Sequence, residues 1–296
     1  MPDVIEGRVI AMVVTYNRRG PLVDCLEAIR AQTRPLDGVV VVDNASADGT
    51  AALLRERYGG VHVVSLAVNA GSSGGIYAGL EAALGLGADW IWTLDDDSVA
   101  RPDALEQLLR APDRDPSLPH PTLLASRVES SDGRAHPINL PILRRRDVDA
   151  MVRASEVGLI PLRANTFLGQ LTARSAFERH GLPLRHFHFQ TEDIEHTARV
   201  LRSEPGYLVP DSVVVHLSRA PAHAWDDVAP ERFYYHLRNV IYMLRGDSWE
   251  VWEKPTWGWL MVTTTARFLR DQHFRPRSLA TVARAVRDGL GRLEVA

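Results

Sequence analysis

Five residues, Trp90-Ile91-Trp92-Thr93-Leu94, run almost wholly apolar and then give way abruptly to three carboxylates, Asp95-Asp96-Asp97, and Ser98. A run of that length and make-up reads as a buried strand, so the acids stand where the strand leaves its sheet. In open α/β sheets the carboxyl ends of the strands form the rim at which ligands bind. Three adjacent acids repel one another, and a divalent cation is the commonest partner that relieves such a cluster. In extended backbone Asp95 and Asp97 point one way and Asp96 the other, which makes Asp95 and Asp97 the expected ligand pair. The competing reading is a capped turn, with Asp97 or Ser98 starting a helix from Pro102 to Leu109, although a cap needs only one acid.

The residues before this junction repeat its pattern. Val9–Val14, Val39–Val42 and Val61–Leu66 are apolar runs ending near Asn17, Asp43 and Asn69. Between them the pattern predicts helices from Pro21 to about Ala31, from Ala51 to Tyr58, and from Ser73-Gly74-Gly75 to about Leu86. Strand-then-helix units of this kind imply a parallel sheet with right-handed crossovers. Its polar strand tips would form a rim able to hold an elongated polar ligand.

The chain downstream is less regular. Residues 111–161 are rich in proline and charge, with Arg144-Arg145-Arg146 at their centre; they read as a strand near Leu123–Val128 followed by a mobile flap, the arginines in a solvated loop. Asn165–Thr172 reads as a strand, Ser175–His180 as a short helix and Arg185–Phe189 as a strand or extended loop. Thr191 is placed to cap a helix reaching about Leu201. Tyr207–Val209 and Val213–His216 read as two short strands. From Pro230 on the pattern is helical, over Arg232–Arg245, Trp249 to about Gln272, and Arg277–Leu290. The expected division is a domain over 1–225 and a helical region over 226–296.

The 296 residues carry a formal net charge of −3, which gives no global attraction to nucleic acid. A single cysteine, Cys25, rules out an intrachain disulfide and a thiolate zinc cage, and is expected to be a small buried residue. No signal peptide and no membrane-spanning run is recognisable, so the expected location is cytoplasmic, with the inner face of the cell membrane as an extension. That extension rests on four tryptophans between Trp249 and Trp259 and on arginines 267, 270, 275, 277, 284, 287 and 292, a make-up suited to a membrane surface. A packed helical subdomain with a basic face is the alternative.

Taken in order, Val13-Val14-Thr15-Tyr16-Asn17-Arg18, Val42-Asp43-Asn44-Ala45-Ser46, Asn69-Ala70-Gly71-Ser72-Ser73-Gly74-Gly75, Asp95–Asp97, Glu192-Asp193-Ile194-Glu195 and His216 resemble the motifs of inverting family 2 glycosyltransferases of the GT-A type. Tyr234-Tyr235 and Arg238-Asn239 resemble the bacterial branch holding galactofuranosyl- and rhamnosyltransferases. The resemblance implies a GT-A fold, a Rossmann-like, mostly parallel sheet flanked by helices, with a C-terminal helical appendage. It implies transfer of galactofuranose or rhamnose from a UDP- or dTDP-sugar to a hydroxyl of a glycan or polyprenyl-linked acceptor. Thr15, Tyr16, Asn17, Asp43 and Asn69 would line the nucleotide pocket, and Gly71, Gly74 and Gly75 would let the backbone approach the donor where a helix begins. Asp95, Asp97 and His216 would hold Mn²⁺ or Mg²⁺, with Asp96 towards the donor sugar. Asp193 would be the general base and Glu192 its neighbour in the acceptor site, where Thr191-Glu192-Asp193 departs from the more usual Gly-Asp-Asp or Trp-Asp-Asp. Glu195 and Arg199 are further candidates for donor contact. Two rival readings are a nucleotidyltransferase on the same sheet and a non-catalytic nucleotide-sugar-binding protein. The glycine-rich basic loop that a nucleotidyltransferase needs after its first strand is not present at Thr15–Gly20, and Asp95, Asp97, Asp193 and His216 together argue for turnover.

Overall fold

The structure, a computed structural model, describes residues 5–218 and 230–291. The expected boundary at 225/226 and Arg292 lie outside those residues. The first half follows the alternation in the sequence: β1 (Val9–Thr15), α1 (Arg19–Arg30), β2 (Gly38–Asp43), α2 (Thr50–Arg57), β3 (His62–Ser65), α3 (Gly71–Gly85) and β4 (Trp90–Asp95). Helix boundaries move by one or two residues. Pro21, expected at the first helical position, lies two residues inside α1, where its missing N–H is still one that no helix would use.

The chain continues through β5 (Ser98–Ala100), α4 (Ala104–Leu109), β6 (Leu123–Ser130), β7 (Ile142–Leu143), α5 (Val148–Glu156), β8 (Ile160–Ala164), β9 (Gln170–Ala173), α6 (Arg174–His180), α7 (Glu192–Val200) and β10 (Gly206–His216). Helices α8 (Pro230–Arg245), α9 (Lys254–Asp271) and α10 (Pro276–Leu290) close it. Several expectations are corrected here. The capped turn after the acids is not formed; Ser98 begins β5, which pairs antiparallel with β10, and α4 starts only at Ala104. The expected flap holds β7 and α5, the latter capped by Asp147 through the Ala150 amide at 2.9 Å. Arg144 of the arginine triplet is half-buried with its guanidinium on the Leu201 carbonyl, whereas Arg145 and Arg146 are exposed. Asn165–Gly169 is loop, since β8 ends at Ala164 and β9 begins at Gln170. Residues 185–187 form a 3-10 turn and not a strand. The two short strands expected over 207–216 are one strand with a register shift between Val209 and Val213.

The strands form one sheet ordered β3-β2-β1-β4-β9-β6-β10-β8-β7, with β5 against β10. β3, β2, β1 and β4 are parallel, and β9 runs antiparallel between β4 and β6. This is the mixed, mostly parallel sheet flanked by helices that the sequence pattern predicts. The chain steps outward from β1 to β2 and β3, then returns to place β4 on the other side of β1. The crevice beyond the ends of β1 and β4 is therefore a topological switch point, the place where open α/β sheets bind ligands.

One face of the sheet packs on α1, α2 and α4 through Leu22, Leu26, Leu54, Leu105 and Leu108; the other packs on α3 through Leu80 and Ala83 against Met12 and Val42. Cys25 is buried and free, as expected. Helix α3 lies so close to β1 that a Cβ on Gly75 would come within 2.6 Å of Val14 Cγ1. The C-terminal helices are tied to the sheet domain by a shared apolar cluster of Ala164, Phe187, Ala198, Val240, Met243 and Trp249. Phe233 of α8 stacks on Phe268 of α9 with ring centres 3.8 Å apart. Trp257 packs on Trp249 at 4.8 Å, while Trp259 is 71% exposed, so the two tryptophans face different surroundings. Among the described residues no helix is long and apolar enough to cross a membrane.

Candidate active site at the end of the fourth strand

The switch-point crevice opens as a cleft of about 740 Å³ lined by Thr15, Tyr16 and Arg18 after β1, Asn44 after β2, Asn69, Gly71 and Ser72 around the start of α3, and Asp95, Asp96 and Asp97 after β4. His216 and Ser218 line it from the end of β10, and His188, Phe189, Glu231, Arg232 and Tyr235 form the far wall. The strand order explains the company: β10 lies three places from β4, but β5 turns back to pair His216 with Ser98, directly after the acids.

β4 ends at Asp95 and the chain turns at Asp96 and Asp97, so all three carboxylates line the cleft instead of dividing as extended backbone would have them. Asp95, Asp97 and His216 offer ligand atoms that all lie within 4.8 Å of one another. Asp96 is buried and receives the Arg18 guanidinium at 3.3 Å, and the same nitrogen reaches Asp97. Burial alone would raise the Asp97 carboxyl, but its bond to His216 and the Arg18 charge outweigh that and hold it down at about 2. Burial pushes Asp95 up to about 6, with the neighbouring Asp97 and Asp96 charges adding to the rise and His216 opposing it.

The orientation of His216 supplies a test of whether a cation fits. Asn139 gives its amide N–H to Thr166 Oγ1 at 3.2 Å, which leaves Asn139 Oδ1 facing His216 Nδ1 at 2.9 Å. Nδ1 is therefore the protonated nitrogen. Nε2 then faces Asp97 Oδ1 at 3.2 Å and the Ser218 hydroxyl at 2.9 Å, a place that either a proton on Nε2 or a bound cation can fill. One imidazole and two carboxylates suit Mn²⁺ or a related divalent ion. His136, fully buried, packs against the His216 ring with centres 4.4 Å apart and planes tilted by 45°.

The other expected residues fall into two groups. Thr15, Tyr16, Asn69 and Gly71 line the cleft, whereas Asn17, Asp43, Gly74 and Gly75 do not. Asn17 takes φ +53° and accepts the Ala47 amide at 2.7 Å, joining the loops after β1 and β2. Asp43 is buried and accepts the Ser46 amide at 2.8 Å, while its neighbour Asn44 lines the cleft. The close approach at Gly75 is made to Val14 and not to the cleft. Gly71 has φ +75°, and any Cβ there would strike the His188 carbonyl.

Glu192 and Asp193 open α7 and do not themselves line the cleft. Ser72, which does, donates to Glu192 Oε1 at 2.6 Å; Glu192 Oε2 is buried without a hydrogen-bond partner. Burial raises the Glu192 carboxyl. Burial, the Glu192 charge and the more distant Asp95 charge push Asp193 up to about 8, against the pull of the Ile194 amide at 2.7 Å. Thr191 does not cap α7 as expected: its φ is +66° and its hydroxyl goes to the Gln190 carbonyl. Glu195 and Arg199 pair with each other at 3.1 Å and with Ser248 and backbone carbonyls, and neither lines the cleft. The sequence reading gave no role to Asn139, His136, Ser72 or the far wall of His188, Phe189, Arg232 and Tyr235. Arg18, Asn44, Ser72 and Tyr235 stood inside recognised motif strings, but without a stated role.

Residues 10–155 match Glycosyl transferase family 2. The chain carries a family 2 glycosyltransferase domain. Galactofuranosyltransferase GlfT1 of Mycobacterium tuberculosis is 27% identical over 276 residues, covering 86% of this chain and 89% of that protein. In fold the glycosyltransferase is similar to residues 1–349 of S. aureus TarS in complex with UDP-GlcNAc, with a TM-score of 0.64 and 17% identity over 95% of this chain and 80% of that one; it covers 43% of the longer TarS chain. It is also similar to GalNAc-T7 with UDP, GalNAc and Mn²⁺, with a TM-score of 0.60 and 13% identity over 81% and 48% of the two chains. The family and these folds establish the GT-A architecture with C-terminal helices. The family match and the GlfT1 relative support a glycosyltransferase over the nucleotidyltransferase and non-catalytic readings.

The raised acids make the metal-free protein sensitive to alkali. Above the ordinary carboxylate range Asp193 keeps a proton in the folded chain that it loses on unfolding, so stability falls as pH rises towards about 8. His196 and His236, held neutral by burial at about 3 and about 4, act in the opposite sense, but only below about 6.5, where an unfolded histidine gains its proton. Between pH 6.5 and 8 the acids decide. Thermal denaturation in chelator should show stability falling by on the order of 1 kcal/mol across that span, and Asp193→Asn should flatten the fall. A wild-type stability that rises over the same span would contradict the assignment.

Proposed function

We propose that the glycosyltransferase moves galactofuranose or rhamnose from a UDP- or dTDP-sugar to a hydroxyl of a lipid-linked or cell-wall glycan, with inversion at the anomeric carbon. The observation that carries the reading is the convergence of Asp95, Asp97 and His216 at the switch point, beside the carboxylates of Glu192 and Asp193. The GlfT1 relative supports the donor sugar, and the UDP-sugar bound by TarS supports the donor class.

Asp95, Asp97 and His216 would hold Mn²⁺ or Mg²⁺, which when bound neutralises charge on the leaving diphosphate. The chain's own groups do the rest. The crevice from Thr15 and Tyr16 to Asn44 and Asn69 takes the nucleotide, with Asp43 and Asn17 holding its loops in place. Asp96 sits between Arg18 and the donor sugar. Asp193 takes the proton of the acceptor hydroxyl as its oxygen bonds to the anomeric carbon; the carbon–oxygen bond to the diphosphate breaks, and its electron pair leaves with the phosphate. A carboxylate raised from its ordinary range towards the working pH is better matched to that proton transfer than an exposed one. Glu192, tied to Ser72, orients the acceptor.

A panel of nucleotide sugars with Mn²⁺ should protect the fold against heat selectively, and the protecting donor should glycosylate one of a set of octyl glycosides. Asp193→Asn should leave that protection intact and lower transfer roughly 10²-fold or more, the usual scale of general-base catalysis. Normal transfer by Asp193→Asn, with loss in Glu192→Gln instead, would move the base to Glu192. No protection by any nucleotide sugar would refute the donor reading.

A lipid-linked acceptor places the enzyme at a bilayer surface. Trp259, Leu260 and Val262 present apolar surface on α9, and Arg267 and Arg270 follow on the same helix. Trp259→Ser should weaken sedimentation with anionic vesicles at low salt, and added salt should weaken the wild-type interaction. Wild-type protein that stays in the supernatant at low salt would refute the contact.

A further inference from the structure

The backbone leading into α7 is strained in a way that its own residues do not explain. His188, Gln190 and Thr191 all take left-handed φ angles, +61°, +63° and +66°, although none is glycine. Such angles are unfavourable for residues with a Cβ, and the strain persists only where the surroundings over-determine it. The turn matters because it ends one residue before Glu192 and two before Asp193. Its shape sets the direction in which α7 presents both acids.

What holds the turn comes from α8, in the C-terminal helices. Asn239 is completely buried, and its side-chain nitrogen lies 3.1, 2.9 and 2.8 Å from the carbonyl oxygens of Phe187, Phe189 and Gln190. The guanidinium of Arg238 donates to the carbonyls of His186 and Phe187 at 2.6 and 2.9 Å. The same guanidinium donates to Asn239 Oδ1 at 3.1 and 2.9 Å, which fixes the amide with its N–H groups towards the turn. Four carbonyls of the turn, those of His186, Phe187, Phe189 and Gln190, are thereby bound from one helix, and the left-handed angles are what point them at it. A single further bond, from the Ser73 amide to the His188 carbonyl, ties the turn to α3.

We infer that Asn239 and Arg238 are positioning residues: by holding the left-handed turn at 188–191, they aim Asp193 at the acceptor hydroxyl. This rests on the base assignment proposed above. It gives the C-terminal helices a part in the chemistry, since the residues that bear on the base come from α8. The nucleotide end of the cleft is built from β1, β2, β4 and α3, none of which Asn239 or Arg238 touches, whereas the turn they hold supplies His188 and Phe189 to the far wall; the bare nucleotide therefore reports the part of the cleft set apart from the clamp.

The test is a double-mutant cycle between the clamp and the base, read as turnover per nucleotide-binding site. The assay uses the donor and octyl glycoside that the wild-type enzyme accepts, and calorimetry with UDP or dTDP in Mn²⁺ counts the sites. Asn239→Ala and Arg238→Gln should each lower turnover by roughly 30-fold or more, with the nucleotide dissociation constant within about threefold of wild type. In an Asp193→Asn background the same changes should cost less than about threefold, because no base remains to be aimed. Losses that multiply in that background, or nucleotide affinity that falls in step with turnover, would overturn the clamp and leave a merely structural role. If Asn239→Ala does not fold, the more exposed Arg238→Gln decides by the same cycle. Wild-type turnover by the single Asp193→Asn variant would refute the base assignment itself, and it is read before either clamp residue is changed.

Discussion

Repulsion among three consecutive carboxylates at the end of β4 is the constraint to which the rest of the cleft answers. Burial raises the cost of each charge, so the fold must bring positive charge to the strand end or leave the acids protonated. Arg18 comes from the loop after β1, the neighbouring strand, and takes Asp96 and Asp97. His216 comes from β10, carried to the spot by β5, whose three residues follow the acids immediately. What those two do not offset leaves Asp95 and Asp96 raised. In the proposed reading that remainder is the binding energy of a divalent cation, and the cation in turn draws a diphosphate.

The first half of the chain was legible because each of its elements obeys a local rule. Continuous apolar runs such as Val9–Thr15 and Trp90–Leu94 are what a sheet covered on both faces demands, and their polar tips mark the carboxyl-end rim. The pairing of Asp95 with Asp97 is expected from strand alternation, and in the fold a turn at Asp96 and Asp97 brings it about. Local rules fail after Ala111. Helix α5 was read as flap because only Ala154 of its nine residues is buried, so its apolar stripe is faint. The partner of His216 could not be read at all: Asn139 is 77 residues away in a proline-rich stretch and is brought there by sheet topology. The glycines after Asn69 misled in a different way. A glycine is equally suited to a ligand and to a neighbouring strand, and at Gly75 the neighbour is Val14.

The C-terminal helices are read most differently once the structure is seen. By composition they look like an appendage defined by tryptophan and arginine. In the fold Arg163, from β8, is buried with three partners, holding Glu253 at 2.8 Å, the Ser248 carbonyl at 2.7 Å and the Ala198 carbonyl at 2.7 Å, against the face of Trp249. That arginine joins the sheet, the end of α7 and the segment before α9 in one contact, while Arg238 and Asn239 hold the start of α7. Helix α7, which carries both candidate catalytic acids, is thus gripped at each end by groups outside its own sequence neighbourhood. A carboxylate that must be aimed within a fraction of an ångström benefits from such support.

The central claim is that Asp95, Asp97 and His216 form one cation site on which a donor diphosphate is held. Diffraction from crystals grown with Mn²⁺ and UDP, collected on both sides of the manganese absorption edge, tests it directly. The account predicts one strong anomalous peak within bonding distance of His216 Nε2 and of carboxylate oxygens of Asp95 and Asp97, bridged to the UDP phosphates. UDP bound in the cleft with no manganese between its phosphates and those three side chains would contradict it.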